Sequence, residues 1–109
     1  MNLNFSQTIS FRCDDPKILI EMLEQWDLQQ AAADIMGFMG ARLLADREDP
    51  GHYLIIADFG VVDPDVPAAE EAARNNERPE TQAWAAHFAE VVDGPPVYGH
   101  YDELYRTDY

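Results

Sequence analysis

The chain has 109 residues, 47% of them apolar, and its 21 acidic and 7 basic residues give a formal charge of −14. That content supports a single domain over residues 1–109 and excludes a disordered chain, while no apolar run approaches the ~20 residues of a membrane span. The acidity repels nucleic-acid phosphates and anionic lipid surfaces, so neither is an expected partner; it serves solubility or a cationic partner.

Leu3, Phe5, Ile9 and Phe11 alternate with Asn4, Ser6, Thr8 and Ser10. This predicts a first strand from Leu3 to Phe11 with one apolar face and one face of hydroxyls and amides, suited to a wet cavity, a subunit seam or plain solvent. The alternation lacks the basic flank and continuous apolar block of a secretory signal, so the expected location is the cytoplasm. Cys13, the only cysteine, excludes an internal disulfide and fits a reducing compartment. Asn4-Phe5-Ser6 matches a glycosylation acceptor, a match without weight in a chain that shows no export signal.

Asp15 before Pro16 predicts a helix start, because the carboxylate accepts from free amides and proline lacks the donor that would be orphaned. Leu19, Met22, Leu23 and Trp26 form its inward stripe, with Trp26 read as core rather than ligand platform. Gly37 and Gly40 bracket a loop into a second strand from Ala41 to Asp46; they are too sparse for a phosphate loop. Glu48-Asp49-Pro50-Gly51 reads as a hairpin turn into a third strand from Tyr53 to Val62, whose apolar run implies cover on both faces. Asp58 interrupts that run as a paired structural acid or a site residue.

After Asp63-Pro-Asp-Val-Pro67, a helix over Ala68 to Asn75 stops before Pro79, so the second helix comes in two pieces. Trp84, Phe88, Val91 and Val92 line the later piece, and Asp93-Gly94-Pro95-Pro96 ends it. A last strand runs from Val97 to Tyr105, with Tyr101 and Tyr105 on one face and Tyr98, His100, Asp102 and Leu104 on the other. The order β-α-β-β-α-β predicts an α+β, ferredoxin-like fold: an antiparallel sheet covered by helices on one face, its other face needing a partner.

The densest group of chemically useful side chains is the run from Arg74 to Thr81 at the helix break, followed by Trp84 and His87. Asp58-Phe59-Gly60, the Arg78-Pro79-Glu80 break, Trp84 and the Val97-Tyr98 strand resemble the antibiotic biosynthesis monooxygenase domain family over nearly the whole chain. The resemblance implies a homodimer built as a dimeric α+β barrel, with a pocket between helices and sheet in each subunit. It also implies oxygenation of a small aromatic or polyketide-like compound by dioxygen with no metal or flavin cofactor. Such chemistry needs a proton acceptor, donors for developing negative charge and walls that exclude water. By resemblance, Asn75 or Asn76 and Arg78 supply donors, Trp84 a stacking wall and His87 the acceptor.

Plainer roles stand beside these: Trp84 as core, His87 on the helix surface beside Glu80 or Glu90, Asn75-Asn76 as a helix terminus, and Arg78 neutralising Glu77 and Glu80. Haem opening, known in another branch of this fold, fits poorly. Asn4 suits its strand position, but Trp84 and His87 are only three apart and the acidic chain repels propionates. His100 and Asp102 share a strand face, a pairing common by chance, and His52 and His87 have no ligand spacing with them; Asp46 to Gly51 fails as a calcium loop because Pro50 and Ala57 stand at ligand positions. With Ser6 and Ser10 the only serines, both on the first strand, no nucleophilic triad is expected. The alternatives to an oxygenase are a non-catalytic ligand-binding or structural homodimer, and an isomerase or dehydratase using the same pocket.

Overall fold

The computed structural model describes residues 3–33 and 37–107. Four strands, β1 (Phe5–Arg12), β2 (Phe38–Ala45), β3 (His52–Phe59) and β4 (Asp93–Asp102), form one antiparallel sheet in the order β2-β3-β1-β4. Helices α1 (Pro16–Ala33), α2 (Ala68–Asn76) and α3 (Pro79–Val91) complete the ferredoxin-like α+β layout.

The start of α1 is built as its sequence dictates: Asp15 Oδ1 accepts from the Lys17 amide at 3.0 Å, with Pro16 in the first turn. Leu19 and Met22 of its stripe are buried against Ile9, Phe11 and Ile55 of the sheet and Phe88 of α3, while Trp26, also buried, meets Phe38 and Trp84 edge-on. A second cluster joins Phe5 and Phe59 to Ala68 and Ala72, whose short side chains let α2 lie close to the strands. The break between α2 and α3 falls at Arg78, which is extended (φ −68°, ψ 141°) because the following Pro79 disfavours the helical region.

Four strand limits lie three or more residues from those read in the sequence, and the other four lie within two. β2 begins at Phe38, not Ala41, because a register shift between Phe38 and Gly40 absorbs Met39 as an extra residue. Gly37, at φ +85°, sits where an added Cβ would lie 2.7 Å from the Gly60 carbonyl oxygen. β3 stops at Phe59 instead of Val62. β4 starts at Asp93, four residues early, and takes in Pro95 and Pro96; an edge strand tolerates residues without an amide hydrogen. It closes at Asp102, so Tyr105 lies outside the sheet.

The pairing register puts Ser6, Thr8, Ser10 and Arg12 on the face away from the helices, with His52, Leu54, Ile56, Asp58, Leu44, Val97 and Tyr101. Asp58 is a paired acid there, accepting from Ser6 Oγ at 2.6 Å. Among the described residues no helix is long and apolar enough to cross a membrane.

Candidate functional site

Between the helices and the sheet lies a cavity of about 60 Å³, walled by Ile9, Leu23, Trp26, Ile55, Phe59 and Trp84 and bordered by the polar side chains of Gln7, Asn76, Thr81 and Tyr98. Trp84 is fixed on three sides. Its Nε1 donates to the Met22 carbonyl at 3.2 Å, its ring stacks on Phe88 at 5.0 Å and 10°, and it meets Trp26 edge-on at 5.0 Å. It is therefore both core and cavity wall.

The polar border comes from the break in the second helix and from β1. Asn76, the last residue of α2, donates from Nδ2 to Gln7 Oε1 at 3.2 Å. This leaves Gln7 Nε2 as a donor and Asn76 Oδ1 as an acceptor at the cavity mouth. Gln7 shares the helix-facing side of β1 with Phe5, Ile9 and Phe11; its signal in the sequence was the polar gap in that apolar series. Tyr98 pairs with Ile9 across β1 and β4, and burial pushes its phenol above the ordinary value, so it stays a neutral donor.

The residues singled out by sequence divide. Asn76 and Trp84 meet at the cavity. Asn75 is buried beneath the helix break, where its Oδ1 accepts from Thr81 Oγ1 at 3.4 Å and its Nδ2 has no partner among the described residues. Arg78 lines neither the cavity nor the recess beside it, and its Nε lies 3.5 Å from Glu80 Oε2. His87 opens onto that recess, an open depression of about 370 Å³ with Met22, Gln25, Glu80 and Ala83. Trp84 is the one lining residue that the recess and the cavity share, so His87 and the Gln7–Asn76 pair line different hollows.

At the hairpin, Asp46, Asp49 and His52 bring possible metal-ligand atoms within 4.8 Å of one another. Arg12 already holds both oxygens of Asp49, at 2.7 and 3.2 Å, and His52 Nδ1 holds Asp46 Oδ2 at 2.9 Å. A cation held by the three would have to displace the Arg12 guanidinium from Asp49 and come between His52 and Asp46.

No protein-family model matches the sequence, and a search of curated proteins finds no match to it. Solved structures do match in fold. A candidate antibiotic biosynthesis monooxygenase of Nitrosomonas europaea superposes with a TM-score of 0.69 at 16% identity, over 99% of this chain and 97% of that one. SnoaB of Streptomyces nogalater, a cofactor-independent oxygenase, gives 0.68 at 17% over 94% and 95%. A candidate monooxygenase of Deinococcus radiodurans gives 0.68 at 13% over 96% and 97%. The fold is that of the antibiotic biosynthesis monooxygenase domain proteins, as the sequence resemblance implied.

Proposed function

We propose that the protein is a cofactor-independent oxygenase of a small aromatic or polyketide-like compound. The observation that carries this reading is the cavity: aromatic walls, one amide pair and one neutral phenol, with no charged side chain among the described lining residues. Such a site takes a flat, largely apolar ligand with one polar edge. Trp84 and Trp26 contact its ring, while Gln7 and Asn76 hold a carbonyl or hydroxyl. In the reaction, the substrate anion passes an electron to dioxygen and the two radicals combine. The hydroperoxide then loses water, so the substrate gains one oxygen atom and loses two hydrogens, which leave with the other oxygen atom as water.

Asn75 holds the helix break, with Arg78 beside it at the surface. For His87 to be the proton acceptor, the ligand must reach past the indole of Trp84 into the recess. The test is oxygen uptake with a panel of dihydroxyaromatic compounds: uptake lost in Asn76→Ala and Trp84→Ala proteins that still fold supports the reading. No uptake with any compound favours a non-catalytic ligand-binding or structural homodimer, a reading favoured by the small cavity and by a described lining whose one ionisable residue is Tyr98.

The proposed working unit is a homodimer. Val97 and Tyr101 are 67% and 60% exposed on the sheet face that no helix covers, beside Leu44, Leu54 and Ile56. A second copy covering that face would bury more than about 1,000 Å² in total. A monomer in sedimentation equilibrium at micromolar concentration overturns this.

A further inference from the structure

The outermost strand β4 reaches the cavity through one side chain. Among the described lining residues Tyr98, opposite Ile9 in the register, is the one that β4 contributes. The next residue on that side, His100, stacks on Phe5 at 6.0 Å and lies outside the lining. Both stand on the helix-facing side of the sheet, away from the face proposed for a second copy. Tyr98 keeps 42% of its surface accessible, so a ligand at the mouth meets it without opening the core.

Of the four polar side chains at the border, three are already engaged. Asn76 Nδ2 donates to Gln7 Oε1, and Thr81 Oγ1 donates to Asn75 Oδ1 beneath the helix break. The Tyr98 hydroxyl has no hydrogen-bond partner among the described residues. Burial holds it protonated, so it is able to donate. The two polar points of the mouth are also held apart. Gln7 and Tyr98 are diagonal neighbours on adjacent strands, about 7–8 Å apart at the backbone, and the Gln7 amide is tied to the end of α2, not to β4.

Taking the cavity as the ligand site, as the oxygenase reading does and on which this rests, we propose that Tyr98 sets the substrate class. The ligand is an aromatic ring with two oxygens on non-adjacent carbons, one held at the Gln7–Asn76 pair and the other by the Tyr98 hydroxyl. A ring with one oxygen, or with two on adjacent carbons, engages the amide pair and leaves Tyr98 to water. Tyr98 is thus a specificity-determining contact, and it adds nothing to the binding of a plain phenol.

The test is a ligand-observed NMR titration of the full chain with phenol, catechol, resorcinol and hydroquinone under nitrogen, where none of them is oxidised. Resorcinol and hydroquinone should bind about fivefold more tightly than phenol and catechol, the ratio that one net hydrogen bond supplies. Tyr98→Phe, which removes a single accessible oxygen atom, should abolish that preference and leave phenol affinity unchanged. A preference that survives Tyr98→Phe overturns the proposal, as does equal binding of all four compounds by the unaltered protein. Binding of none of them removes the cavity as a ligand site and overturns both readings. A preference that depends on Tyr98, together with no oxygen uptake in air, overturns the oxygenase alone and leaves the role of Tyr98 standing.

Discussion

Asn76 Nδ2 reaches Gln7 Oε1 at 3.2 Å, tying the end of α2 to the middle of β1 across 69 residues of chain. Because this contact is exposed at a cavity mouth, it contributes little to folding and much to what the cavity accepts. Gln7→Leu should change stability by no more than about 1 kcal/mol, the usual net worth of one hydrogen bond. Its affinity for a phenolic ligand should fall clearly. Urea unfolding and ligand titration of the same preparations check both halves, and a large stability loss with unchanged affinity contradicts this assignment.

Phe88 holds the opposite balance. It is fully buried, stacked on Trp84 and edge-on to Phe11 at 4.9 Å. Phe88→Ala should cost about 3–5 kcal/mol, the range for removing a buried aromatic. Chemical denaturation measures this directly; a loss below 1 kcal/mol would mean that α3 does not pack as described.

Trp84 and His87 are three residues apart but serve different hollows. With the substrate in the cavity, His87→Ala should retain most of the oxygen uptake, whereas a general base touching the substrate would cost about 10²- to 10⁴-fold. Trp84→Phe keeps an apolar wall and loses the bond to the Met22 carbonyl, so it should bind ligand and melt earlier. Steady-state oxygen uptake across the two variants separates the locations.

The hairpin clasp is acid-sensitive. The hydrogen bond from Arg12 holds the Asp49 carboxyl below 3.8, and Asp46 is lowered too, by the Glu48 amide and then His52. A depressed folded value means stability that is present above the unfolded value and lost as pH falls through the folded one. The stability difference between the unaltered protein and Arg12→Gln should be constant above about pH 5 and shrink below about pH 4. Urea midpoints from pH 7 to 2.5 test it; a difference that grows on acidification would reverse the sign.

The element order, the two-piece second helix and the inward stripe of α1 were legible because each rests on local chemistry: Asp15-Pro16, Pro79, and apolar spacing. Strand limits were less so. Pro95 and Pro96 read locally as a terminator, and only the edge position of β4, a tertiary fact, lets them enter the sheet. Asn76 and Trp84 could be named from the sequence, but Gln7 is brought to them by the antiparallel register, which periodicity alone does not set.

Pro95 and Pro96 also bear on solubility in a crowded cell. An outermost strand with a full set of amide hydrogens can recruit foreign backbone and grow into fibres. Over the opening stretch of β4 that recruitment is chemically blocked, which leaves β2 and the later half of β4 as the open rims of the sheet.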